Sequence, residues 1–328
     1  MSGKKRILSG MRPTGALHMG NLHGALHQWV ALQDQYECFY FVADWHALTS
    51  NYENPVGLDA FTLEMAMDWL AAGLSPEKST LFVQSHVKEH AELFLILSMI
   101  TPLSWLERNP TYKDQMAQLV GKDVSTFGFL GYPVLQAADI IMYLADVVPV
   151  GEDQVPHVEI TREIARRFNY LYGEVFREPQ TLLTKTSRLL GIDRRKMSKS
   201  YDNAIYLADP PETIAERTKG MITDPRRARK SDPGDPGVCN VFEFHKLYTD
   251  PERVKEINAG CRSAALGCVE CKKNLAVSLA AGLAPIREKR AYYMERPDDV
   301  KQILAAGTEK ARTVARRTME AVRAAVRL

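Results

Sequence analysis

Arg6-Ile7-Leu8-Ser9, running into Gly10-Met11-Arg12-Pro13-Thr14-Gly15-Ala16-Leu17-His18-Met19-Gly20-Asn21, is the stretch that decides the fold. It reads as a short strand, a Gly/Pro-rich turn and the start of a helix extending to about residue 35. Glycines between a parallel strand and the following helix let the backbone approach a ligand closely, and a helix N-terminus favours negative charge. Together they make a phosphate-binding geometry. His18, at the helix start, can offer an imidazole N–H to a phosphate oxygen whose charge grows in a transition state. A histidine that only caps or packs the helix would look the same.

Outward from this unit the chain keeps alternating short apolar runs with helical patterns, as β-α units feeding a parallel sheet do. Cys38-Phe39-Tyr40-Phe41-Val42-Ala43-Asp44 reads as a second strand covered on both faces, Thr80-Leu81-Phe82-Val83-Gln84 as a third and Val147-Val148-Pro149-Val150 as a fourth. Amphipathic segments 55–72 and 89–100 lie between them. From Pro211 onward the strand signals fade into helical pattern, broken by Asp232-Pro233-Gly234-Asp235-Pro236-Gly237. The expectation is an α/β Rossmann-type domain over residues 1–205 and an α-helical domain over 206–328.

The 328 residues, 45% hydrophobic, suffice for a sizeable core and exclude a disordered or fibrous chain. Met1-Ser2-Gly3-Lys4-Lys5-Arg6 leads into only a short apolar run, and no stretch approaches the roughly 18 apolar residues of a membrane span. A cytoplasmic location and no membrane partner are expected. The net charge of +2 does not by itself mark a nucleic-acid binder, so RNA contacts would fall to local patches. Candidates are Arg226-Arg227-Ala228-Arg229-Lys230 and the C-terminal Arg312, Arg316, Arg317, Arg323 and Arg327, each of which also suits a solvated face.

Three further groups carry chemistry. Lys196-Met197-Ser198-Lys199-Ser200 sets two lysines three apart among hydroxyl residues, which suits holding a triphosphate while its α-phosphate is attacked. Gly151-Glu152-Asp153-Gln154 follows a strand's carboxyl end, where acidic and amide groups can accept from ribose hydroxyls or cap the next helix. Tyr132, Gln136, Asp139 and Tyr143 stand at i, i+4, i+7 and i+11, on one side of an otherwise apolar helix. An ionised Asp139 accepts only, so it suits a ligand N–H or O–H, indole or phenol alike. Cys38 sits in an apolar strand as a core thiol, whereas Cys239, Cys261, Cys268 and Cys271 fall as C-x21-C-x6-C-x2-C. Four thiols so grouped point to a metal, either zinc or an iron–sulfur cluster.

His18-Met19-Gly20-Asn21 and Lys196-Met197-Ser198-Lys199-Ser200, about 175 residues apart, resemble the two signatures of class I aminoacyl-tRNA synthetases. Asn21 in place of the usual second histidine matches the tryptophanyl and tyrosyl branch. Gly151 to Gln154, followed by His157 and Arg162, and the run Tyr132-Pro133-Val134-Leu135-Gln136-Ala137-Ala138-Asp139-Ile140 look like the tryptophanyl family, although Gln136 replaces its methionine and Arg12 stands where glutamine is usual. The resemblance implies activation of L-tryptophan by ATP with Mg2+ and transfer to tRNA(Trp), by a homodimer whose C-terminal domain recognises the anticodon and which has no DNA partner. It implies His18, Lys196 and Lys199 as catalytic residues. Arg12, Pro13, Thr14, Gly20, Asn21, Gly151, Glu152, Asp153, Leu189, Met197, Ser198 and Ser200, with the two lysines, would contact ATP. Asp139, Tyr132, Gln136, His46 and Gln154 would contact tryptophan. A subset of the family carries a [4Fe-4S] cluster on a cysteine spacing one residue longer in its first gap, which favours that cluster over zinc at Cys239, Cys261, Cys268 and Cys271. The competing readings are a tyrosyl-tRNA synthetase, a small-molecule adenylyltransferase of the same superfamily, which would not explain the lysine loop together with the long helical half, and a non-catalytic RNA-binding or metal-sensing paralogue.

Overall fold

The computed structural model describes residues 3–109, 112, 125–183 and 189–328. Strands β1 (Arg6–Met11), β2 (Glu37–Val42), β3 (Ser79–Val83), β4 (Val147–Val150) and β5 (Gln180–Leu183) lie parallel in the order β3-β2-β1-β4-β5. That order reverses between β1 and β4, and such a reversal opens a crevice at the carboxyl ends of the strands. The four strands read from the sequence are present. The fifth was not legible, because Gln180-Thr181-Leu182-Leu183 is short, is partly or fully exposed throughout and pairs only with β4 at the sheet edge.

The helix after β1 is not continuous. His18 leads into α1 (Met19–Asn21), a π-helical turn spans Leu22–Leu26, and α2 (His27–Leu32) follows. Single π-turns tend to occur at functional sites. Then come α3 (Asp44–Asn51), α4 (Leu58–Ala72), α5 (Glu89–Ser98), α6 (Leu103–Glu107), α7 (Phe127–Met142) and α8 (Val155–Tyr172). Alternation along the strands separates two cores, with Ile7, Tyr40 and Val42 facing α2 and α4, and Leu8, Phe39 and Phe41 facing α5, α7 and α8. No described helix is long and apolar enough to cross a membrane.

The later half is helical: α9 (Pro211–Lys219), α10 (Asn240–Tyr248), α11 (Pro251–Arg262), α12 (Cys268–Met294) and α13 (Pro297–Val326). Helix α13 crosses β3 so closely that a Cβ on Gly307 would overlap the Leu81 carbonyl oxygen. Arg323 pairs with Glu92, and Arg312 donates to the His86 carbonyl, so part of the C-terminal basic stretch fastens α13 to α5 and the turn before it. Helix α12 reaches the turn that follows β1. Buried Arg290 donates to Asp68 Oδ1 at 2.6 Å, and Asp68 Oδ2 accepts the Leu17 N–H at 2.8 Å, bracing the residue before His18. Leaving either charge buried alone would cost roughly 3–5 kcal/mol.

Candidate active site

The segment starting at His18 begins with a reciprocal cap. The Asn21 N–H donates to His18 Nδ1 at 3.3 Å, and the His18 N–H donates to Asn21 Oδ1 at 3.0 Å. Asn21 therefore has a local structural task in the motif. With Nδ1 accepting, the neutral His18 ring carries its proton on Nε2, free to donate. Burial, then the nearby Lys199 and Lys196 charges, pull His18 down to about 4, so the free site holds it neutral near pH 7. Gly20 is needed here because a Cβ would come within 2.9 Å of the His18 ring.

The lysine loop closes onto this turn. Asn203 organises it by accepting the Ser198 N–H at 2.8 Å and donating to Asp193 and to the Lys196 carbonyl. Buried Met197 accepts the Gly20 N–H at its sulfur, 3.3 Å away. Lys199 Nζ donates to the Thr14 carbonyl at 2.8 Å, while Ser198 and Ser200 share a hydroxyl bond at 2.9 Å. Two main-chain bonds, Met19 N–H to the Ile205 carbonyl and Leu207 N–H to the Leu17 carbonyl, complete the junction. Burial lowers Lys199 to about 8, against the opposing carboxylates of Asp68 and Glu64. Leu189 is buried in the core beneath the loop, Pro13 is buried, and Thr14 is exposed at the turn.

A cavity of about 370 Å³ opens at the β1/β4 reversal. Arg12 and Gly151, two of the residues expected at ATP, border it, and Glu152 sits exposed in the 3-10 turn just beyond. The side chain of Asp153 lies outside the described part. All five residues expected at the amino acid, His46, Tyr132, Gln136, Asp139 and Gln154, border the same cavity. Tyr143, on the same stripe, does not. It stands just past α7, fully buried, with its hydroxyl 2.7 Å from His90 Nε2. His157 supports Tyr132 through a 3.0 Å contact to its hydroxyl, whereas Arg162 pairs with Glu159 and Glu178 at the surface.

Asp139 is wholly buried, and protein donors engage both its oxygens. His90 Nδ1 lies 2.6 Å from Oδ1, His46 Nε2 lies 2.7 Å from Oδ2, and the Gln84 amide donates to both at 2.8 and 2.9 Å. Burial pushes this carboxyl up, but the bonds from His46 and His90 more than offset it and leave Asp139 below the ordinary carboxylate range. Neither Gln84 nor His90 was singled out from the sequence. Each reads locally as a polar residue at a strand end or a histidine in an apolar helix, and its partner is about 50 residues away.

The four cysteines of the helical half also meet. Burial pushes the Cys271 thiol up to about 12, and the nearby Cys239, Cys261 and Cys268 push it the same way. Arg227 Nη1 lies 3.9 Å from Cys261 Sγ and 3.7 Å from Cys268 Sγ, and His245 Nε2 lies 3.4 Å from Cys271 Sγ. Among the described residues no three His, Cys, Asp or Glu side chains are arranged to hold a single metal ion. Cys38 is buried apart from them in β2, as expected.

Known proteins resemble this architecture over its whole length. Residues 2–284 match the family model "tRNA synthetases class I (W and Y)". A tryptophan–tRNA ligase of Thermotoga maritima is 54% identical over 98% of this chain and 99% of its own, and that of Deinococcus radiodurans is 44% identical over 97% of each. The crystal structure of tryptophanyl-tRNA synthetase from Campylobacter jejuni, complexed with ADP and tryptophan, superimposes with a TM-score of 0.91 at 37% identity, covering 98% of this chain and 100% of that one. The chain belongs to the class I tRNA synthetases of tryptophan and tyrosine, and within them to the tryptophan–tRNA ligases.

Proposed function

We propose that the chain joins L-tryptophan to tRNA(Trp) in the β1/β4 crevice, with Asp139 reading the indole and His18, Lys196 and Lys199 holding the phosphates of Mg-ATP. One observation carries this assignment. The second signature motif, distant in sequence, closes on the first at Met197–Gly20 and on the turn before it at Lys199–Thr14, beside a cavity bordered by a buried, ionised acceptor. A tryptophan carboxylate oxygen attacks the α-phosphorus in line, forming one P–O bond as the bond to the β-phosphate breaks, and pyrophosphate leaves with Mg2+. The adenylate then passes its aminoacyl group to a terminal ribose hydroxyl of tRNA, and AMP leaves. No enzyme nucleophile is required, so positioning and electrostatics carry the rate. The neutral His18 donates from Nε2 to phosphate oxygen, and Lys199 exchanges the Thr14 carbonyl for the leaving pyrophosphate. Arg12, Pro13, Thr14, Gly20, Asn21, Leu189, Met197, Ser198 and Ser200 shape the nucleotide site, with Gly151, Glu152 and Asp153 at the ribose. Tyr132, Gln136, His46 and Gln154 surround the amino acid.

ATP–pyrophosphate exchange tests the reading. Tryptophan should drive it and tyrosine should not, and exchange driven by tyrosine alone would overturn the indole assignment.

Residues 1–205, with α13 packed on their sheet, form the catalytic domain, and the rest of the helical 206–328 faces the anticodon arm, in the cytoplasm where ATP and tRNA are supplied. Exposed apolar Leu95, Met99, Leu103 and Phe127, around α5, α6 and the start of α7, suit a face shared by two copies, and sedimentation should return a dimer. Cys239, Cys261, Cys268 and Cys271 would hold a [4Fe-4S] cluster, which would crosslink the helical half. Their mutual proximity, with the Arg227 cation against two of them, fits such an anionic group. Anaerobic purification should yield about four iron and four sulfide per chain, and stoichiometric zinc without iron would refute the cluster.

A further inference from the structure

We infer that His90, which does not border the cavity, is a positioning residue that fixes which oxygen of Asp139 meets the ligand, and so enforces selection for an indole N–H. The two oxygens of Asp139 are held differently. Oδ1 is taken by His90 at 2.6 Å and by Gln84 at 2.8 Å, both buried and both absent from the cavity wall. Oδ2 is taken by His46 at 2.7 Å and by the other share of the Gln84 amide at 2.9 Å. Of these donors only His46 borders the cavity, and its side chain keeps 11% exposure. Three donor groups make four contacts with the two oxygens, and the carboxylate is wholly buried among them. A ligand N–H must therefore displace a donor, and His46 is the one that can turn aside. The ligand-facing oxygen is Oδ2, and Oδ1 is its anchor.

His90 is itself anchored. Tyr143 is fully buried and its hydroxyl lies 2.7 Å from His90 Nε2. An ionised Asp139 only accepts, so His90 Nδ1 must donate to it, and the Tyr143 hydroxyl at Nε2 holds the ring in place, which keeps the carboxylate from rotating or taking a proton there. The chain Tyr143–His90–Asp139 contains no group in contact with ligand until its last atom. Without it, Asp139 could swing Oδ1 toward the cavity or be met there as a neutral acid, which offers a donor as well as an acceptor. The site would then lose part of its rejection of ligands lacking a ring N–H.

This inference rests on Asp139 accepting the indole N–H. The test compares tryptophan with its benzothiophene analogue, in which sulfur replaces the ring N–H, by kcat/KM in ATP–pyrophosphate exchange. Wild type should discriminate strongly between them, and if it does not, the Asp139 reading itself fails. In His90→Ala the ratio should collapse by about tenfold or more, through KM for the amino acid, with KM for ATP unchanged. In His90→Asn, whose amide can donate from the Nδ1 position, most of the ratio should return. Tyr143→Phe, which loses only the remote hydroxyl, should lower it severalfold and serves as the measurement should His90→Ala not fold. If the variants that fold keep the wild-type ratio, losing activity equally toward both ligands, His90 is merely structural and the inference is overturned.

Discussion

In the proposed assignment, the amino-acid end and the phosphate end of the crevice are built on opposite plans. At the amino-acid end, Asp139 is buried and both its oxygens are engaged by side chains from α3, the turn after β3 and α5. Its acceptor is ionised and anchored at Oδ1 before ligand arrives, and only the His46 contact at Oδ2 need yield. At the phosphate end the cations come from a loop whose hold on the signature turn uses a thioether, a carbonyl and main-chain bonds, and Lys199 is parked on Thr14. Its donors are held by contacts that a triphosphate can replace. Specificity against look-alike ligands favours a rigid, pre-paired acceptor, whereas stabilising charge that develops during reaction favours cations free to meet it.

Breaking the phosphate end should have the largest effect. Lys199→Ala should lower kcat for pyrophosphate exchange about 10²–10³-fold while KM for tryptophan changes little, and steady-state kinetics separates the two. Asp139→Asn comes next, expected to lower kcat/KM for tryptophan about 10²-fold, largely through KM, and to destabilise the chain because His46 and His90 lose a charged acceptor. Thermal unfolding would show the second effect.

Changing pH sharpens the comparison without mutation. Lys199 is lowered to about 8, so its charge is present below that pH and is lost as pH rises through it. Accordingly kcat/KM for ATP, which reports the free enzyme, should fall above pH 8 by up to tenfold per unit. Asp139, held below the usual carboxylate range, should leave the tryptophan dependence flat over the same span. The smallest catalytic effect is expected remote from both ends. Gly307→Ala, which would crowd the Leu81 carbonyl, should cost about 1–3 kcal/mol of stability with both KM values unchanged.

Much of this was legible in the sequence. Apolar β2 and the glycine-rich turn marked the parallel sheet and its ligand end, because burial and close backbone approach leave local signatures. The stripe Tyr132, Gln136 and Asp139 marked the cavity through helical spacing. What escaped is tertiary. The Arg290–Asp68 pair joins residues 222 apart, Gln84 and His90 acquire meaning only when α7 brings Asp139 to them, and the π-turn after Asn21 carries no compositional mark. Asn21 was legible as a family departure but not as the partner of His18 in a reciprocal cap, which needs backbone geometry to see.

The most direct test of the account is ATP–pyrophosphate exchange by the purified chain with tryptophan, tyrosine and the benzothiophene analogue side by side. The account predicts robust exchange with tryptophan, none with tyrosine and a strongly reduced rate with the analogue. Equal exchange with tryptophan and the analogue, or exchange driven by tyrosine, would contradict it.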